Sequence, residues 1–450
     1  MKRSCKALVL GLGLTACSIV SPVKAQSDSI SMDLDEVLEV ALSENTDIQV
    51  ANRTIEIQKY AKKETITGLF PTVSVSATGI DNIMIATMAM SMGGQTMKIK
   101  MGQPYSYALT GTVSLPLVAP QLWKSIQVSQ ESVELALEEA RSSKVSTIAS
   151  VRKAFYSLLA TRESYNVYQT IYKLSKENYD LTCNMYKQGL SPEIDTLKAY
   201  ADLVAVEPNI IMLRNTLPVL EKQLKVLMGV DIDEPIRFEG NLRDYEAKLF
   251  SDLMILKEES NNDLEDNTTL KQLDIQKSQL ELAEKINKLG YIPTLALQLS
   301  GGWSAYTDEF NPFTAPYYGS ASLTLAFSWT LFDGGAKYMK TKQNKLNIEN
   351  IEQQQANIRK QLELAISSSL TSIETAGEQV VADKAAINAA ERSYEITSRS
   401  YELGAATQLE VHAAAQTLES SWLQYVQAIN DFVTAQAELE ETLGKSVTDR

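Results

Sequence analysis

The sequence predicts an α+β membrane protein built from one unit used twice, and three observations carry that reading. Short segments recur at a nearly constant offset: Pro71 in "FPTVSVSA" matches Pro293 in "IPTLALQL", Gly189 in "YKQG" matches Gly404 in "YELG", and Gly229 matches Gly444. Such self-similarity is the signature of a repeated structural unit. Four stretches alternate apolar and small polar residues, the pattern of a two-faced strand. Two proline-free stretches, about 121–187 and 336–403, place an apolar residue at every seventh position.

The bulk composition sets limits. The 450 residues carry 42 Lys and Arg against 56 Asp and Glu, for a net charge of −14. That balance makes nucleic acid a poor partner. Gly and Pro are sparse, at 20 and 12 residues, which favours long regular elements.

Residues 1–25 read as a signal peptide: Lys2, Arg3 and Lys6 precede an apolar run from Ala7 to Val20, and Val23-Lys24-Ala25 offers a small-residue cleavage site. A second reading starts from Leu14-Thr15-Ala16-Cys17, which resembles a lipobox and would put a lipid on Cys17. The apolar run continues past Cys17 to Val20, which favours cleavage after Ala25. Removing four basic residues takes the net charge to −18 and leaves one thiol, Cys183, so a disulfide framework is excluded. No later apolar run approaches the roughly 20 residues of a spanning helix, but strands also cross membranes.

Repeat one is expected over 26–230 and repeat two over 267–450, each reading helix, strand, loop, strand, long helix, turn and return helix. The strands fall at about 69–78 and 105–117, then 294–303 and 317–331. Val73, Val75 and Ala77 share one face of the first, Leu109, Val113, Leu115 and Leu117 of the second, and Leu295, Leu297 and Leu299 of the third. The fourth is "LTLAFSWTL", which runs through Phe332, Asp333, Gly334 and Gly335 into the second long helix. The opposite faces carry Ser, Thr, Gln and Ala, and aromatics such as Tyr105, Trp303, Tyr317 and Trp329 gather near strand ends. A soluble sandwich explains alternation; an outer-membrane barrel explains the aromatic girdles as well.

The long helices carry Val151, Leu158, Tyr165, Tyr172, Tyr179 and Tyr186, matched 215 residues later by Ile366, Ile373, Val380, Ile387, Tyr394 and Tyr401. A seven-residue period keeps one seam against a neighbouring helix. At a rise of ~1.5 Å per residue each helix is roughly 100 Å long and must project from any globular body. Gly189 and Gly404 are expected to end these helices in the left-handed conformation. Ser191 is expected to cap the first return helix with Pro192 in its first turn, and Pro208 and Pro218 to kink or interrupt it. Residues 231–266 hold twelve acidic and four basic residues and read as a solvated segment between the repeats.

No catalytic, cofactor or metal constellation is present. The one histidine, His412, leaves no triad or histidine metal site to build, and Asp333-Gly334-Gly335 lacks the further spacing of a phosphate loop. Two features remain open. Asp195 and Glu410 each lie six residues after a tip glycine: they are either ordinary first-turn acids or a carboxylate ring at a constriction. Six methionines between Met84 and Met101 form either an adaptable apolar lid or a set of soft thioethers suited to copper(I).

The duplicated unit, "LFPTVSVSA", "LFDGG" at Leu331 to Gly335, and the tips "YKQGLSPEIDTLKA" and "YELGAATQLEVHAA" together resemble the TolC-like outer-membrane factor family. The resemblance implies a homotrimer in outer-membrane lipid, each chain giving four strands to one 12-stranded barrel continuous with a long periplasmic α-helical coiled-coil barrel. It implies an exit duct for a tripartite efflux pump or type I secretion system. A periplasmic adaptor would dock at the tip turns, at Gly189, Leu190, Ser191, Gly404, Ala405 and Thr407, and an inner-membrane transporter of RND, ABC or MFS type would supply energy. Two departures stand out. The basic residue the family places soon after the second tip glycine is replaced by Ala405 or Ala406, and repeat one has "LVAP" in place of "LFDG". The competing reading is a periplasmic coiled-coil scaffold without a pore, which accounts for the heptads but not for the aromatic-flanked strands.

Overall fold

The structure, a computed structural model, describes residues 30–92, 95–248 and 264–444. The expected signal peptide, Cys17 and the middle of the acidic segment lie outside the described residues. Helices α1 (Leu34–Glu44) and α2 (Thr46–Thr67) lead into strand β2 (Thr72–Asp81), after a short strand β1 (Ile30–Met32). A hairpin of β3 (Thr87–Met92) and β4 (Gln95–Lys100) precedes β5 (Tyr105–Val118). Then come the long helix α3 (Pro120–Lys187), the return helix α4 (Glu193–Met228) and strand β6 (Ile236–Phe238). The second half runs α5 (Thr268–Leu289), β7 (Thr294–Thr307), β8 (Tyr317–Ser328), α6 (Ala336–Glu402) and α7 (Gln408–Leu443).

Four strands form one antiparallel sheet in the order β2-β5-β7-β8. Its register aligns residues of one kind across all four strands. Val73, Val113, Leu299 and Leu323 stand in one row, and Ser74, Thr112, Ser300 and Ser322 in the next. A one-residue slip would exchange the two faces, so this alignment shows the register that the alternation was composed for. On the polar face the hydroxyls of Ser300 and Ser322 lie 2.8 Å apart. On the apolar face Val73, Val75, Leu323 and Leu325 are all more than 60% exposed in the single chain. Gly302 holds the sheet close: a Cβ there would stand 2.3 Å from the Leu109 carbonyl oxygen.

Several boundaries differ from the expected ones, each for a local reason. Strand β2 starts at Thr72, because Leu69 and Phe70 still make backbone hydrogen bonds back to the last turn of α2. Strand β8 ends at Ser328 rather than 331. Beyond it the Trp329 indole donates to the Tyr291 carbonyl at 3.0 Å, drawing the chain toward the turn between α5 and β7. The loop expected between the first two strands contains the β3–β4 ribbon, in residues 82–104, where the second half has only residues 308–316.

Helix α4 is continuous through Pro208 and Pro218, so of the expected kink or interruption the interruption does not occur. Each proline removes one backbone donor, but the helix is held along its length by α3. One 18-residue stretch of α4 reaches a mean hydropathy of 1.2, long and apolar enough by composition alone to cross a membrane. From Leu203 to Leu220 the charged residues are Glu207 and Arg214, and the helix's other charges lie toward its two ends. It packs on α3 through Ala199, Leu203 and Val206 and leaves Leu197, Tyr200, Ile211, Met212 and Val219 exposed.

Near the middle of the long helices lies the main core. Val151, Phe155 and Leu158 of α3, Ile373 and Val380 of α6 and Phe432 of α7 are buried there. The acidic segment contributes to it, which corrects the expectation of a merely solvated region. Strand β6 pairs in parallel with β1, and Phe238 and Leu242 are each 1% exposed. Around β6 the exposed charges Arg237 and Glu239 alternate with the buried Ile236 and Phe238, so a local charge count concealed the buried side.

A joint is used twice in the fold. Asn45 caps α2 by accepting from the Asp47 and Ile48 amides, while its side-chain amide donates to the Leu227 carbonyl at 2.7 Å. Asn267 caps α5 through the Leu270 amide and donates to the Thr442 carbonyl, also at 2.7 Å. Just past those carbonyls Gly229 and Gly444 take positive φ of 79° and 70°. A Cβ at either would come within 2.9 Å of backbone atoms of the facing segment. Each joint ties the end of a return helix to the start of a helix that leads to the sheet.

Candidate functional site

Two places on the molecule have the geometry of working parts: the corner where the sheet becomes helix, and the helical tips. At the corner Gly334 and Gly335 take φ of 69° and 87°. Asp333 closes the turn, its two carboxylate oxygens accepting from the Gly335 and Lys337 amides at 3.1 Å each. Neighbouring elements fasten this point, since the Asn287 side chain donates to the Lys337 carbonyl and to the Thr341 hydroxyl, both at 2.7 Å. Phe332 is 85% exposed, an aromatic side chain standing where strand gives way to helix. In the first half the same hand-over is made without positive φ, by Ala119 before Pro120 in the first turn of α3. The "LVAP" departure is thus a second solution, proline setting the helical φ that the glycine corner reaches by a turn.

At the tips both long helices end alike. The Leu190 amide donates to the Met185 carbonyl and the Gly189 amide to Tyr186; the Ala405 amide donates to Ser400 and the Gly404 amide to Tyr401. These are paired Schellman closures around glycines at φ 75° and 74°. The two tips also touch. Tyr401, Met185 and Val411 form a small buried cluster, and the Ser191 hydroxyl lies 3.5 Å from that of Tyr401.

The return helices begin differently. Thr407 and Glu410 make a full capping box at the start of α7. The Glu410 carboxylate accepts from the Thr407 amide at 2.6 Å and from its hydroxyl at 3.0 Å, and these bonds hold its pKa below the usual carboxylate range. Ser191 is not the cap of α4; Pro192 occupies that position without a side-chain bond. Standing one residue outside, Ser191 instead donates to the Asp195 carboxylate at 3.2 Å. Asp195 and Glu410 therefore occupy equivalent third positions of their helices, each tethered to a hydroxyl of its own turn. Around them Leu190, Ile194, Leu197, Leu403 and Leu409 are all exposed.

The sequence reading gave His412 no role; the structure gives it a partner. Its Nδ1 lies 2.9 Å from the Asp202 carboxylate, bridging α7 to α4. The pair lines a cavity of about 200 Å³ with Asn178, Tyr394 and Glu419. Burial pushes the Tyr394 hydroxyl up to about 12 and raises the Glu419 carboxyl. No local pattern marks a contact across 210 residues.

A sheet with a lipid-compatible face, handed over to helices far longer than one core can bury, defines the class of outer-membrane channel subunits. The chain belongs to the outer membrane efflux protein family, which it matches over residues 37–230 and 261–445. It is 22% identical over 328 residues to outer membrane protein TolC of Salmonella enteritidis, a match covering 72% of this chain and 66% of that protein. It is 20% identical over 423 residues to the toluene efflux pump outer membrane protein TtgC of Pseudomonas putida, covering 91% and 82%. Among solved structures it resembles the outer-membrane channel OprN with a TM-score of 0.71 at 15% identity, covering 92% of this chain and 90% of that one. The outer membrane protein VceC of Vibrio cholerae gives 0.70 at 14% identity, over 92% and 96%. The open-state MtrE outer membrane channel of Neisseria gonorrhoeae gives 0.71 at 16%, over 91% and 88%. These likenesses place it in the bacterial outer membrane as a TolC-like efflux channel protein.

Proposed function

We propose that three copies of this chain assemble into the exit duct of a tripartite efflux pump or type I secretion system. The observation that carries the proposal is the four-stranded sheet, apolar on one face and hydroxyl-lined on the other, whose edges β2 and β8 have no partner strand among the described residues. Lipid tolerates no open sheet edge, so strands that cross a bilayer must close into a barrel. Strand β8 runs opposite to β2, and β8 of one copy can continue antiparallel to β2 of the next. Three copies of four strands give twelve.

The exposed apolar side of α4 supports the same assembly, since a neighbouring helix pair would cover it. On this reading residues 1–25 are the signal peptide, 26–230 and 267–450 are the two repeats, and 231–266 joins them at the girdle. The helices line a periplasmic duct. A periplasmic adaptor would dock at the tip turns around Gly189, Leu190, Ser191, Gly404, Ala405 and Thr407, and an inner-membrane transporter of the RND, ABC or MFS type would drive the cargo. Asp195 and Glu410, repeated in three copies, would set a ring of carboxylates at the narrow end and favour cations.

Single-channel conductance of the purified protein in a planar bilayer tests this. Discrete openings with cation preference are expected, and that preference should weaken in the double variant Asp195→Ala/Glu410→Ala. Unchanged ion selectivity would remove the two carboxylates from the constriction. A silent bilayer from inserted protein would favour the poreless scaffold.

A further inference from the structure

A cavity of about 290 Å³ opens between α3, α6 and α7. Folded interiors leave few voids larger than a water molecule, and this one is near the size at which ligand pockets begin, about 300 Å³. Its walls are apolar: Val167, Ile171 and Leu174 come from α3, Leu418 and Trp422 from α7. One further wall is supplied from outside the helices. Arg243, in the 3₁₀ turn Leu242–Lys248, sets its guanidinium 4.6 Å from the centre of the Trp422 ring. The same group donates to one Glu163 carboxylate oxygen, from Nε at 3.0 Å and from Nη2 at 2.7 Å. The Asn166 amide donates to the other oxygen at 3.2 Å. Arg243 and Glu163 thus neutralise each other, and the ring and the two hydrogen bonds fix the guanidinium in place. Glu391 of α6 is different. It lines the cavity from an exposed position, and among the described residues no hydrogen bond or ion pair reaches its carboxylate.

We propose that this cavity binds an organic cation with a compact aromatic body, the body seated among Val167, Ile171, Leu418 and Trp422 and the ammonium paired with Glu391. Each part of the lining selects a feature of that ligand. The apolar walls favour a body that displaces water from them. The uncompensated Glu391 carboxylate repels an anion, and a neutral molecule forgoes the charge-assisted hydrogen bond that an ammonium makes to it. A bare metal ion finds no group of three His, Cys, Asp or Glu to hold it among the described residues. Tyr394 adds no competing charge, because burial pushes its hydroxyl up to about 12, and that hydroxyl lies 3.5 Å from the Leu174 carbonyl. The site is complete within one chain and exists with or without a pore.

The test titrates 1-naphthylmethylammonium into the intact protein in detergent at pH 7, followed by calorimetry. The control is 1-naphthalenemethanol, which has the same rings without the charge. Detergent micelles take up both probes, so the difference between parent and variant is the readout. The parent should bind the ammonium about tenfold or more tighter than the alcohol. Glu391→Gln, a change at an exposed position, should bring the two probes to within about twofold of each other. Val167→Phe, which fills the cavity, should remove the binding of both. Equal affinity of parent and Glu391→Gln for the ammonium overturns the site, and so does binding by the parent no stronger than that of Val167→Phe. If Val167→Phe does not fold, crystals soaked with a bromonaphthyl analogue decide: an anomalous bromine peak between α3 and α7 upholds the proposal, and its absence overturns it.

Discussion

Glu410 is held by both donors of one residue, the amide and the hydroxyl of Thr407, and this makes the second tip sensitive to acid. A carboxylate whose acidity is strengthened in the folded state stabilises that state above its unfolded pKa, and the contribution is lost as pH falls through the depressed folded value. Local protection of the first turn of α7 should therefore be constant near neutrality and decline only in acid. Thr407→Ala removes a cap and should cost about 1 kcal/mol of local stability. Hydrogen exchange of amides 408–411 measures both effects: faster exchange in Thr407→Ala at pH 7, and a wild-type rise in acid beyond the intrinsic pH trend. Unchanged exchange in the variant would mean the turn is held by the Schellman closure alone. Glu410 can still face a pore while capping, because a carboxylate has further lone pairs for a passing cation.

Between elements, the Asn45 and Asn267 joints show what a sequence can and cannot display. Asn267→Ala should lose its helix cap and leave the Thr442 carbonyl without its donor, together about 2–3 kcal/mol. Asn267→Asp preserves the cap but removes the donor, so it should also destabilise, which separates a joint from a simple cap. Thermal midpoints of the two variants, with hydrogen exchange of the last turn of α7, give the comparison; an Asp variant as stable as wild type would reduce the residue to a cap. The duplicated strands and heptads were readable because periodicity is written within ten or twenty residues. Val151 and Leu158, or Ile373 and Val380, follow each other at the spacing that buries them. The joints connect residues 182 and 175 positions apart, and nothing near Asn45 or Asn267 marks the far carbonyl. The β3–β4 ribbon was read as a loop for another reason: methionine has no strong strand preference, and the aromatics that flank the other strands are missing there. At the tips Tyr-x-x-Gly announced the closures, while the unequal capping came from the cap residue itself: both return helices begin four residues after the tip glycine, but the cap is Thr407 in one and Pro192 in the other, which leaves Ser191 one residue outside.

For the molecule as a whole the decisive question is what lies against the apolar face of the sheet. Leu325 and Thr324 are neighbours in β8 and lie on opposite faces at almost the same depth. If the sheet closes into a lipid-embedded barrel, Leu325→Arg puts a charge into hydrocarbon and should cost about 2–4 kcal/mol if it lies near the midplane. Thr324→Arg would put the same charge into a wet lumen, at little cost beyond crowding. The scaffold reading reverses or erases this difference, because an apolar face buried in protein and one left in water treat the pair otherwise. In the proposed trimer every barrel would contain three such positions, which would multiply the effect. The measurement is the yield of heat-modifiable, outer-membrane-fractionated protein for each variant. A deficit confined to Leu325→Arg fixes the apolar face toward lipid and, with it, the hydroxyl rows of Ser74, Thr112, Ser300 and Ser322 toward the lumen. Equal yields would leave the four strands without a bilayer to cross, and the long helices would then have to be explained without a duct.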